Sequence, residues 1–175
     1  NCENEYNDPK SRRFHAQPNC CFDCGPEIFL KNKKGEVIEK GVKGIEKSTS
    51  LIENGKIVAI KGIGGYHLAC NGLEEKAVNL LRKRKRRIDK PFALMAKDIK
   101  TIEEFCYISK DEKKILSSWQ SPIVLLKKKN KKIPNSVAPS NNYLGFMLPY
   151  TPIHHLLFFL NKNLKVIVMT SGNLS

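Results

Sequence analysis

Aliphatic side chains are almost missing from the first 27 residues and recur at regular intervals from about residue 42 onward. That pattern alone divides the chain, with the boundary expected between Leu30 and Val42. In the second region, residues 48–54 read as the tail of a helix ended by Gly55. Residues 56–61 (KIVAIK) read as a strand, followed by the flexible turn Gly62-Ile63-Gly64-Gly65 and a second strand over residues 66–70. Leu73, Ala77, Leu80 and Leu81 recur at helical spacing, which predicts a helix over residues 73–86. Strands are expected at 92–96, 123–126, 144–148 and 166–169, and helices at 99–105 and 112–119. Trp119 to Pro122 read as core packing before the strand at Ile123. Thr151-Pro152 supplies an N-cap and first helical position for a helix reaching Leu160. The fold class is α/β.

Composition is that of a soluble globular protein, and no apolar run approaches the ~20 residues needed to cross a bilayer. The chain begins Asn1-Cys2-Glu3, with neither an initiator Met nor a signal peptide. A cytoplasmic protein with no membrane partner is the expectation. The net charge of +14 invites a polyanionic ligand, a nucleic acid or a nucleotide. For the lysines of residues 127–132 a solvated loop is the better reading.

The six cysteines are clustered, with Cys2, Cys20, Cys21 and Cys24 at one end. Clustering without a signal peptide points to a metal site in a reducing compartment rather than to disulfides. In Cys21-Phe22-Asp23-Cys24-Gly25-Pro26, thiolates at i and i+3 can reach one tetrahedral ion, with Gly25 supplying permissive backbone. Cys2 stands eighteen intervening residues ahead of Cys21, as expected if it closes an earlier CxxC. Zn2+ is therefore expected on Cys2, Cys21 and Cys24, three of four ligands, and binding should be weak without the fourth. Cys20 is a bystander. Cys70 and Cys106 read as buried apolar residues, and His67, His154 and His155 as surface or packing residues.

Two further segments suggest anion chemistry, and each has a plainer alternative. The run Arg82-Lys83-Arg84-Lys85-Arg86-Arg87 is tolerated better with a polyanion between its charges, yet cations also suit the negative end of a helix dipole. Lys85 and Arg87 cannot share a helical face, but both can enter one cleft if the helix stops there. Thr170-Ser171-Gly172-Asn173 follows a strand, where α/β sheets gather ligands, yet Ser-Gly-Asn is also common turn chemistry. The Gly62 to Gly65 turn permits close backbone approach but is not a GxxxxGK[ST] loop.

Lys85-Arg86-Arg87 with Ile88-Asp89-Lys90-Pro91, followed far downstream by Ser171-Gly172-Asn173, resembles the KxR and SxN signature of the YrdC-like family. Arg12-Arg13-Phe14-His15-Ala16-Gln17-Pro18, Lys90-Pro91-Phe92-Ala93-Leu94-Met95 and Leu148-Pro149-Tyr150-Thr151-Pro152-Ile153-His154-His155 extend the resemblance to the hydrogenase-maturation carbamoyltransferases, over nearly the whole chain. It implies a YrdC-like twisted mixed sheet flanked by helices over residues 42–175, truncated at its C-terminal end. The end of a CxxC-x18-CxxC zinc finger would precede it at residues 1–30. The sequence then reads as an internal piece of a longer protein, without the acylphosphatase-like and carbamoyl-transferring domains of that family.

The activity implied is attack of carbamate, released from carbamoyl phosphate, on the α-phosphorus of ATP to give carbamoyl-adenylate. Lys85 and Arg87 would meet phosphate and carboxylate charge, Ser171 and Asn173 would donate to the α-phosphate region, and Lys90 would reach the outer phosphates. Mg2+ would accompany ATP. The carbamoyl group would pass to the cysteine of a partner protein, toward the cyanide ligands of a nickel-iron hydrogenase. Rival readings are a threonylcarbamoyl-adenylate synthase acting in tRNA modification, which needs no zinc finger, and a non-catalytic RNA-binding module. The second lacks interleaved aromatic platforms.

Overall fold

Cys2 opens a short helix that the apolar pattern does not predict, α1 (Cys2–Asn7), in a computed structural model that describes residues 1–173. It belongs to the first of two compact units, Asn1–Gly44 and Ile45–Ser175. The first unit also holds a hairpin of β1 (Phe29–Lys31) and β2 (Val37–Lys40), antiparallel, around a bend where Gly35 takes φ 85°. Phe29, Val37 and Ile38 stay exposed, so no alternating buried face announces these strands. Among the described residues of this unit, Cys2 is the only buried apolar side chain.

α2 (Gly41–Glu53) is longer than the tail expected at residues 48–54, and its buried face is Ile45, Thr49 and Ile52. It ends as expected at Gly55, φ 73°. The Lys56 N–H donates to Leu51 O and the Gly55 N–H to Ile52 O, the paired bonds of a Schellman stop. Then follow β3 (Val58–Lys61), β4 (Tyr66–Asn71), α3 (Glu75–Arg84), β5 (Ala93–Ala96), α4 (Ile99–Glu103), α5 (Lys110–Leu116), β6 (Val124–Lys127), β7 (Tyr143–Met147), α6 (Pro152–Leu160) and β8 (Val166–Ser171). α5 starts before residue 112 because Ser109 and Glu112 make a reciprocal capping box, and it stops at Leu116. Trp119, expected in the core, is instead 89% exposed beyond that helix end. α6 starts as expected, with the Thr151 hydroxyl accepting from the His154 N–H.

The six strands form one mixed sheet in the order β3-β4-β8-β5-β7-β6, parallel only between β5 and β7. The register sets Lys61 opposite Tyr66, His67 opposite Ser171, Ala93 opposite Gly145 and Lys127 opposite Tyr143. One end of the sheet therefore collects four segments: residues 62–65, 85–92, 128–142 and the turn after Ser171. Ala77, Val78 and Leu81 of α3 pack with Cys70, Leu94, Phe146, Val166 and Val168 in the core that anchors that end. Each such fully buried aliphatic or aromatic side chain contributes about 1.5–3 kcal/mol by leaving water.

Candidate functional site

In the first unit the sulfurs of Cys2, Cys21 and Cys24 lie within 4.8 Å of one another, and those of Cys21 and Cys24 are 3.6 Å apart. A tetrahedral ion with Zn–S bonds of ~2.3 Å would separate its sulfurs by about 3.8 Å, so the three thiols fit such an ion. Gly25 is needed for space rather than for an unusual φ. Its N–H donates to Cys21 O at 2.8 Å, and a Cβ there would lie 2.5 Å from that oxygen. Hydrogen bonding to Cys21, then burial and Cys24, pushes the Cys2 thiol up to about 11. Backbone hydrogen bonds from Cys24 and Asp23 hold Cys21 below its ordinary value. With one thiol turned toward the thiolate form and another resisting it, the cluster suits an ion that would complete the deprotonation.

In the second unit the basic run does not behave as six equivalent cations. α3 ends at Arg84 because Arg86 turns to φ 52°, and the Arg87 N–H donates to Arg82 O (3.1 Å) and the Arg86 N–H to Lys83 O (3.2 Å). This is the same stop that Gly55 provides for α2, made here with a residue that disfavours it. Lys85, still in helical conformation just before the reversal, lies on the buried face of Val78 and Leu81. Only 2% exposed, its ammonium donates to Ser171 O at 2.8 Å and to Asn173 O at 2.5 Å. An ammonium has three donors, and among the described residues the third has no acceptor. Burial, then the charges of Arg87 and Lys90, lower the Lys85 pKa, so those two cations stand near it.

The structure thus brings Lys85, Ser171 and Asn173 into contact, and the Ser171 hydroxyl donates to the Asn173 amide oxygen at 2.5 Å. Arg87 bends back on its own loop, its Nε donating to Lys90 O (2.9 Å) and Nη2 to Pro91 O (2.6 Å). Its guanidinium carbon lies 4.8 Å from the centre of the Phe92 ring. The Lys90 side chain is exposed. At the neighbouring turn the Gly62 N–H closes onto Gly65 O at 2.7 Å, and the Gly172 N–H donates to Tyr66 O at 2.7 Å. The two glycine-bearing bends thereby meet.

Sequence reasoning missed Arg82. Its Nε and Nη2 donate to Ser136 O at 2.9 and 2.7 Å, and its Nη1 donates to Arg87 O and Ile88 O at 3.0 and 2.9 Å. It also flanks Phe92 at 4.8 Å, and burial, then the charge of Arg87, lowers its pKa. A signal was available: Val78, Leu81 and Lys85 continue one buried stripe of α3, so position 85 was marked as an inward cation. Cys70 and Cys106 are buried, their thiols pushed up to about 12 by desolvation. His154 is buried with both ring nitrogens lacking partners, whereas His155 is exposed. Among the described residues, no other group of three metal-ligating side chains accompanies the cysteine cluster.

Residues 50–175 match the Sua5/YciO/YrdC family, described as telomere recombination, and residues 1–30 match the HypF finger. The carbamoyltransferase HypF of Rhodobacter capsulatus is 45% identical over 99% of this chain, which spans 23% of that relative. A crystal structure of full-length HypF in the phosphate- and nucleotide-bound form superimposes with a TM-score of 0.81 at 47% identity, over 99% of this chain and 22% of that one. The putative threonylcarbamoyl-AMP synthase of Methanocaldococcus jannaschii is 31% identical, with 83% of this chain matching 70% of its length. The chain spans about a fifth of the length of the HypF proteins it matches. No helix among the described residues is long and apolar enough to cross a membrane.

Proposed function

Because the chain belongs to the Sua5/YciO/YrdC family and is homologous to HypF carbamoyltransferases along its length, we propose that its second unit makes carbamoyl-adenylate from ATP and carbamate. The observation that carries this reading is the meeting of Lys85 with Ser171 and Asn173 at a sheet end where Arg87 and Lys90 add positive charge. A carbamate oxygen forms the new bond to the α-phosphorus. The bond to the bridging oxygen breaks, and pyrophosphate leaves with its electron pair. Such a step asks for positioning and charge neutralisation rather than for a nucleophile. The free N–H of Lys85 and the guanidinium of Arg87 would neutralise phosphate and carboxylate oxygens. Ser171 and Asn173 would donate to the α-phosphate region, and Lys90 would meet the outer phosphates. Among the described residues no carboxylate cluster accompanies them, so Mg2+ would be carried by the phosphates themselves.

Zinc on Cys2, Cys21 and Cys24 would organise the first unit and take no part in the chemistry. In the longer protein the carbamoyl group would move on to a hydrogenase-maturation partner with an acceptor cysteine. Free thiols throughout the chain support a cytoplasmic setting. A second reading, threonylcarbamoyl-adenylate synthesis, is favoured by the match to most of the Methanocaldococcus relative. Pyrophosphate release separates the two. Release from ATP with carbamate, supplied as ammonium carbamate, supports the first, and release only with threonine and bicarbonate supports the second. If neither occurs while the chain binds RNA tightly and salt-sensitively, both enzymatic readings fall.

A further inference from the structure

We propose that Arg82, which need not touch the nucleotide, is the positioning residue that holds the phosphate-facing loop in its working shape. The proposal rests on the cleft reading above and deepens it. All three nitrogens of its guanidinium donate to main-chain carbonyls: Ser136 O on one side, and Arg87 O, Ile88 O and (at 3.3 Å) Lys90 O on the other. One planar group therefore ties the bend after α3 to the turn Asn135–Val137, which is remote in sequence. The tie is reinforced by the Phe92 N–H donating to Val137 O at 2.8 Å, and by the Phe92 ring, whose centre lies 4.8 Å from the guanidinium carbons of both Arg82 and Arg87. Lys90 O is shared by Arg82 and Arg87, so the loop that presents both phosphate candidates is shaped from beneath. A lysine keeps the charge but not the fork and cannot span these acceptors.

Because Lys90, whose carbonyl both arginines hold, meets the outer phosphates in this reading, losing the fork should weaken ATP far more than AMP. The test measures ATP and AMP affinity for the wild-type chain, Arg82→Lys, Arg87→Ala and the double variant, with Arg82→Gln as a second probe. Arg82→Lys is expected to lower ATP affinity about tenfold and AMP affinity less than about threefold. The double variant should be little weaker than Arg87→Ala alone, because both changes disable one element. Equal loss for both nucleotides, or full additivity, would reduce Arg82 to a stability role and overturn the proposal. In the wild type, hydrogen exchange at residues 87–91 and 136–138 should slow together when ATP is added. Protection of the first segment alone also overturns it. A wild-type chain that binds no ATP removes the cleft reading itself, whereas ATP binding unaffected by Arg82→Lys removes only the role of Arg82.

Discussion

The two units reach order by different physics. In Asn1–Gly44 the buried apolar complement among the described residues is Cys2, and local turns and three converging sulfurs supply the structure. In Ile45–Ser175 a sheet with buried strands such as Val166, Ile167 and Val168 carries the fold. The contrast teaches that homology along one continuous chain need not mean one mode of stability. A segment too poor in aliphatic residues to bury its own surface carries converging thiols fit for ligation, while its neighbour leans on the hydrophobic effect.

The largest predicted effect tests that division directly. With zinc bound, residues 1–30 should resist limited proteolysis, and a strong chelator or Cys21→Ser should abolish that resistance completely. The second unit should keep its melting temperature to within a degree or so, since surface-remote changes rarely exceed ~0.5 kcal/mol. A first unit still protected after metal removal would break the comparison, as would a second unit that melts with it.

A smaller effect lies inside the second unit. Burial, with His67 and His155 opposing further charge, lowers the His154 pKa to about 4 from an ordinary 6.5. The unfolded chain thus takes up this proton first as pH falls. The stability tied to neutral His154 is fully present above about pH 6.5 and erodes toward pH 4, by up to about 3 kcal/mol. His154→Phe keeps an aromatic ring against Tyr150, which packs edge-on at 4.5 Å, and removes the titration. Melting temperature against pH should be flatter for the variant between pH 4 and 6.5. Parallel curves would show that His154 escapes its burial.

The same contrast explains what was legible in the sequence. Where burial alternates, as at Val58 and Ile60, or runs unbroken through apolar residues, as along β8, the strands could be placed from residue type alone. The β1–β2 hairpin leaves Phe29, Val37 and Ile38 exposed, so periodicity had nothing to detect there. Trp119 was misplaced because a large aromatic next to a strand suggests core, whereas the early stop of α5 leaves it in solvent. Lys85 was found as a charge, but its direction was not. The stripe of Val78 and Leu81 carries that direction for Lys85, whereas the course of Arg87 follows only from the reversal at Arg86.

That reversal yields the smallest effect. Gly55 and Arg86 close their helices with the same pair of bonds and similar φ, 73° and 52°, but only glycine holds that conformation without strain. Space is not the difference at Gly55, where a Cβ would meet only Glu74 Cγ at 3.7 Å. Arg86→Gly should therefore stabilise the second unit by about 1 kcal/mol and Gly55→Ala destabilise it by a similar amount, each roughly 3 °C in melting temperature. Arg86 is exposed and, among the described residues, its side chain has no hydrogen-bond partner, so the gain should come without loss of ATP affinity if the cleft depends on where the backbone turns. A stabilised Arg86→Gly that binds ATP several-fold more weakly would mean that the guanidinium itself reaches the phosphates. The strained turn would then be retained for that charge, and the cleft would use three cations of the run rather than two.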